Sequence, residues 1–439
     1  MARSQLAALG LRSAARLVLL AGALAALWSA QAQAQAQAPA VNVRRFSLPN
    51  GLRVILAPDP RAQLACVLVR YDLGSRDDPR GYSGLAHLTE HMTFRTASSL
   101  ERLEQIGATT FNGITGFDAS YYYAVVPPSA LAASLWLESH RMAFAAADMP
   151  AEEFDMERRV VLREWSEHCD SVLGELRSKL MRRLYPEDPA YARLCDQPKD
   201  LRAMDLDDVR WFTQTHYRPE RAIVVVSGNV DMSRAETLVR EHFGGLRPTG
   251  PARARAGLTR ERAFEPVRVR EAPGVEHEIL VLVWPLPGSE DPRSEVYVLA
   301  LELLEQRIDE QLVHPPHGST SYASIGLEAR ERESVATLTL VARTSEKADQ
   351  LRSEVDAIIA EFQRDVPPAP LFGRVRLKLS RSYERALSDA SGRAFALAGG
   401  QEEMAQRLLS VTPAEVRAAF RRWFRPEARV EGVLASEQP

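Results

Sequence analysis

The chain has 439 residues, 45% of them apolar and 26% charged, with a formal charge of −3. That length exceeds one ordinary core and predicts two or three domains, while the composition excludes a disordered polymer. The acidic balance excludes nucleic acid as a partner.

Arg3, Arg12 and Arg16 precede an apolar run at 17–28, followed by alternating small residues at 29–38. This is the three-part layout of a secretory signal peptide, so residues 1–38 are set aside from the fold. Twelve apolar residues are too few to cross a bilayer comfortably. Cleavage would delete three arginines and no acid, leaving 52 basic and 58 acidic residues and a charge of −6. No later stretch approaches eighteen uninterrupted apolar residues, so no stable membrane span is expected after cleavage, and the mature chain is expected in the periplasm or secreted. Cys66, Cys169 and Cys195 allow at most one disulfide, and none forms a CxxC pair. Neither a disulfide scaffold nor a thiolate zinc site is indicated.

In chain order, residues 52–56 and 64–71 read as strands, and a helix begins near Ser83-Gly84 and runs through Leu85, Leu88, Met92 and Phe94. Residues 120–126 are β-like, and 128–144 and 150–184 read as helices. The segment 209–220 then aligns with 416–427 at a constant offset of 207, six positions agreeing in identity or aromatic character. Each copy is a helix pattern ending in aromatic-Arg-Pro-Glu before a β-rich run, 223–226 and 430–434. A repeat this long signals duplicated domains. Residues 244–266 combine Gly, Pro, Arg and Ala without apolar periodicity and read as a linker. The expected fold is α+β, with two homologous α/β-sandwich-like units in tandem, 39–243 and 267–439.

His87-Leu88-Thr89-Glu90-His91 lies on the first of these helices. His87 and His91 are one turn apart on one face, so both imidazoles can reach a single ion at about 2.0–2.1 Å. Glu90, three residues after His87, lies beside them, a carboxylate placed to take a proton from water. Zinc suits such ligands. A third ligand is required, and the helical stretch after residue 156 offers Glu157, Glu164, Glu167 and His168; spacing alone does not separate them. Glu157 and Glu164, seven apart, share a face.

His87-Leu88-Thr89-Glu90-His91 together with Glu157-x6-Glu164 resembles the pitrilysin and insulin-degrading family of zinc metallopeptidases, the inverzincins, and more closely its bacterial and mitochondrial-processing-peptidase-like branch. Further matches are Leu48-Pro49-Asn50-Gly51-Leu52-Arg53-Val54, then Asn112, Thr115, Asp118 and Tyr122, and Tyr217-Arg218-Pro219. They cover almost the whole mature first half; the second half is similar more loosely. The resemblance implies one zinc ion held by His87, His91 and Glu164, with Glu157 as a supporting carboxylate beside the ligands. It implies Glu90 as the base of a zinc-dependent endopeptidase acting on extended peptides or small unfolded proteins. Asn112 would sit on an edge strand that pairs with the peptide.

The second half has no His-x-x-Glu-His, so it is expected to be noncatalytic. In active single-chain relatives this half commonly supplies an Arg and, seven residues later, a Tyr that hold the substrate backbone. Tyr322 fits the tyrosine position, but Pro315 stands where the Arg would be. Arg307, further upstream, reads as a helix residue paired with an acid. The missing Arg implies either a different grip or a second, related chain that provides the Arg/Tyr pair. The resemblance implies a dimer, with a copy of this chain or with such a related chain. The alternative to an enzyme is a noncatalytic peptide-binding or assembly subunit that keeps a structural metal site.

Overall fold

β-Branched and aromatic runs build two mixed sheets, seen in a computed structural model that describes residues 42–247, 268–314, 318–343 and 347–436. The expected signal peptide and most of the expected linker lie outside those residues. The first sheet comprises β1 (Arg44–Ser47), β2 (Arg53–Pro58), β3 (Ala65–Tyr71), β4 (Thr110–Thr115), β5 (Ser120–Val126) and β6 (Ala222–Gly228), in the order β1-β2-β6-β3-β5-β4. The second comprises β7 (Arg268–Val275), β8 (Ile279–Pro287), β9 (Thr320–Glu328), β10 (Glu333–Ala342) and β11 (Val430–Ser436), in the order β7-β11-β8-β10-β9.

Apart from β1 the two sheets have one topology. β2 runs parallel to β6 as β7 does to β11, and the remaining pairs are antiparallel in both. The repeated segments are equivalent in it: Leu206–His216 and Pro413–Trp423 are helices, each leading through a short Pro-initiated turn into a central strand, β6 or β11. The sequence duplication is therefore a duplication of fold, and β4 and β9 are equivalent free edges.

One face of the first sheet, with Val54, Val67, Val69 and Val224, packs on helices Leu85–Phe94, Leu131–Asp148, Leu206–His216 and Met232–Phe243. Its other face is covered by helix Ala390–Ala398 from the second half: Ser227 Oγ donates to the Ala390 carbonyl, and Phe395 meets the rings of Tyr121 and Tyr123 at 5.5 and 5.1 Å. The second sheet is the mirror case. Leu282, Trp284 and Leu338 pack on its own helices, whereas Val281, Val283, Val430 and Leu434 pack on Leu176, Leu180 and Leu184 of helix Val172–Leu184 from the first half. Each half thus lends one helix to the other.

The expected single helix over 150–184 is two, Ala151–Cys169 and Val172–Leu184. Asp170 leaves helical geometry at ψ 54°, Ser171 accepts from the Gly174 amide to cap the second helix, and a Cβ on Gly174 would stand 2.4 Å from the Cys169 carbonyl oxygen. The break turns the chain from the site helix into the lent helix.

Candidate metal centre

Helix Leu85–Phe94 starts after Gly84, whose φ of 95° places it in the left-handed region. Asp78, from the preceding loop, accepts from the Gly84 and Ala86 amides at 2.8 Å each and satisfies donors that the first turn leaves open. Leu85, Leu88 and Met92 anchor the helix in the core. His87 and His91 emerge on its open side into a cavity of about 650 Å³ that Glu90, Asn112, Gly113, Thr115, Glu157, Glu164, Cys169, Cys195 and Asp196 also line.

His87 Nε2 and His91 Nε2 stand 3.4 and 3.6 Å from the same Glu164 oxygen, Oε2. Two atoms each about 2.0–2.1 Å from a tetrahedral ion lie about 3.3 Å apart, so this set fits one zinc ion with little adjustment. Among the described residues no other group of three such side chains converges in this way. Both Nδ1 atoms face carboxylates: His87 meets Asp196 Oδ2 at 3.1 Å and His91 meets Glu157 Oε2 at 3.0 Å. Each imidazole can thus give its Nδ1 proton to an acid and turn the Nε2 lone pair toward Glu164. Glu157 is itself gripped by Arg95, 2.7 Å from Nε. Burial alone would lower the pKa of His87, but the hydrogen bond and charge of Asp196, with Glu90 and Glu164 nearby, outweigh it and push it up to about 9. Four carboxylates around two imidazoles make this a pocket for a cation.

Glu90 is buried, and one of its oxygens accepts from Thr115 Oγ at 2.8 Å. The other faces Gly113, where a Cβ would stand 2.6 Å from Oε1 and 2.5 Å from the Phe94 ring. Asn112 and Gly113 lie on the edge strand β4, so the cavity runs along a free strand edge, with Ile114 exposed beside it.

His87, Glu90, His91, Glu157, Glu164 and Asn112 are therefore brought together. Tyr322 is not: it lies on the other free edge, β9, is 55% exposed, and is absent from the lining of this cavity. Arg307 pairs with Glu361 at 3.3 Å, the acid contact its helix position suggested. Glu167 is largely exposed beside Arg163. Asp196 escaped the sequence reading. It reaches His87 across 109 positions, and its one local signal is its neighbour Cys195, which is bonded to Cys169.

Residues 53–194 match the family described as Insulinase (Peptidase family M16), and residues 203–376 match the Peptidase M16 inactive domain. An uncharacterized zinc protease of Mycobacterium leprae is 29% identical over 228 residues, 50% of this chain and 51% of the relative; against such relatives the chain spans about half their length. The zinc protease PqqE of Helicobacter pylori is 25% identical over 72% of this chain and 74% of its own. The mitochondrial-processing peptidase subunit beta of Blastocladiella emersonii is 30% identical over 49% of this chain and 47% of its own. The crystal structure of a protease from Helicobacter pylori superposes with a TM-score of 0.77 at 22% identity, covering 90% of this chain and 99% of that one. With residues 53–194 matched by the peptidase domain and residues 203–376 by the inactive domain of the same family, the chain belongs to the insulinase family of peptidases, M16.

Proposed function

We propose that the chain is a zinc-dependent endopeptidase in which His87, His91 and Glu164 hold the metal, Glu157 supports His91, and Glu90 is the catalytic base. The observation that carries this reading is the convergence of both Nε2 atoms on one Glu164 oxygen, with Glu90 lining the same cavity. When bound, zinc supplies Lewis acidity, polarising a peptide carbonyl and making water more acidic. Glu90, held by Thr115, takes the proton of the attacking water and returns it to the nitrogen of the leaving amine. The substrate class is extended peptides or small unfolded proteins, because the cavity flanks the free edge of β4, where an extended backbone can add as a further strand beside Asn112.

We assign residues 39–243 to the catalytic domain, 244–266 to a linker and 267–439 to a related noncatalytic domain. Residues 1–38 are assigned as a signal peptide, and the mature chain to the periplasm or the outside of the cell. The disulfide Cys169–Cys195 suits such an oxidising compartment, and among the described residues no helix is long and apolar enough to cross a membrane. Tyr322 remains a candidate for substrate contact only if another chain or a movement brings β9 to the peptide. The relative named as a subunit supports a dimer, with a second copy or with a related chain. The test is hydrolysis of unstructured peptides by the chain with and without zinc, beside Glu90→Gln: loss in E90Q with metal retained supports the reading, and unchanged hydrolysis in E90Q rejects it.

A further inference from the structure

We infer that the Cys169–Cys195 disulfide and Asp196 form one clamp that orients His87, so that Asp196 is a positioning residue and zinc affinity depends on the oxidation state of the cysteine pair. This rests on the metal-site reading above.

The two outer carboxylates of the site are supported differently. Glu157, which holds His91, sits in the middle of helix Ala151–Cys169 and is gripped by Arg95. Asp196, which holds His87, sits in residues 185–197, a stretch without helix or strand. What fixes it begins one residue away, where Cys195 is joined to Cys169, the last residue of the helix that carries Glu157 and Glu164. The disulfide therefore ties the acceptor of one ligand to the element that bears another. Around it the stretch fits closely on the start of the histidine helix: the Gln197 amide donates to Ser83 Oγ at 3.0 Å, and Arg193 reaches Asp78, the helix cap, at 2.8 Å. A Cβ on Gly84 would stand 3.0 Å from the Asp196 carboxyl carbon, so glycine there admits the aspartate.

Both cysteines line the metal cavity, which gives a small reductant access. A dithiol supplies two electrons and two protons, the S–S bond breaks into two thiols, and the dithiol leaves as its own disulfide. Asp196 then keeps its polar neighbours but loses the covalent stop that sets its distance from the Glu164 helix. Loss of an outer-shell partner lowers metal affinity about 10- to 100-fold.

The experiment measures zinc affinity of the full chain by competition with a chromophoric chelator, for the oxidised wild type, C169S/C195S, D196N, D196E and C169S/C195S/D196N, with circular dichroism of each metal-free protein. Serine is used because free thiols would themselves bind zinc. The clamp predicts a loss of about 10- to 100-fold in C169S/C195S and in D196N, partial recovery in D196E, and a combined variant no weaker than D196N, since both changes break one device. Affinity in C169S/C195S within twofold of wild type, or losses that add in the combined variant, overturns the clamp while leaving the metal site standing. Absence of zinc binding by the oxidised wild type overturns the metal site and the clamp with it. If C169S/C195S does not fold, wild type reduced with a phosphine and alkylated at the freed thiols gives the same comparison.

Discussion

Glu90 is held between a hydroxyl donor and a glycine, and both contacts bear on how it works. Replacing it by glutamine keeps the shape and the Thr115 contact but removes the base, so kcat/KM is expected to fall about 10²- to 10⁴-fold while one zinc per chain is still found by metal analysis. Gly113→Ala places a methyl group against Oε1 and the Phe94 ring. It is expected to lower kcat at little change in zinc content, with overpacking costing about 1–3 kcal/mol in chemical denaturation. At this scale His87, Glu90 and His91 were legible because one helical turn brings them together. Glu164 was not separable by spacing from Glu157, Glu167 and His168, and only family resemblance picked it out. Asp196 has no local signal but its neighbour Cys195, since His87 lies 109 positions away. Tyr322 fits a position in a pattern, and the fold places it on β9, away from the candidate metal cavity.

The histidine helix was foreseen to start near Ser83-Gly84, and it does, but its cap comes from Asp78, outside the helix pattern. That carboxylate also pairs with Arg193, so Asp78→Ala removes the acceptor of two amides and leaves the Arg193 guanidinium only the Ser75 carbonyl. Leaving such buried donors without their acceptor costs about 1–3 kcal/mol. The expected outcome is a lower urea midpoint and weaker zinc binding together, because the helix end and the loop that carries Asp196 loosen at once. The split of 150–184 into two helices was readable in principle: Asp170-Ser171 followed by Gly174 is a stop and a cap. The long apolar periodicity on either side masked it. The repeat at 209–220 and 416–427 carried further, since it leads into the equivalent interior strand of each sheet, β6 and β11.

Across the molecule, the exchange of helices makes the halves mutually dependent. Leu176 is fully buried between the first half's helix and Gly432 of β11. Leu176→Ala is expected to cost about 2–5 kcal/mol and to lower the stability of both halves in one transition. Residues 39–243 and 267–439 expressed separately should each expose the sheet face that the other covers, and should fold only when mixed. A second link is Arg393, 2.7 Å from Asp59. Hydrogen bonds from Arg61 and Arg393 hold the Asp59 carboxyl well below the usual carboxylate range. A folded pKa below the unfolded one stabilises fully above the unfolded value of about 3.9, and the contribution is lost as pH falls from there to the folded value. The stability difference between wild type and D59N should therefore be constant near neutral pH and shrink below about pH 4. Duplication was legible in the sequence; the exchange was not, because the apolar face of Val172–Leu184 records that the helix is buried and not against which sheet.

Zinc-dependent peptide hydrolysis is tested most directly with a mixed library of unstructured peptides and the chain freed of residues 1–38, as purified, after chelation, after return of zinc, and as E90Q, with and without any related chain that co-purifies. The expected result is cleavage that chelation abolishes and zinc restores, and none in zinc-loaded E90Q. Cleavage that survives chelation, or that E90Q performs as well as the wild type, would contradict it; no cleavage in any combination would leave a peptide-binding subunit in its place.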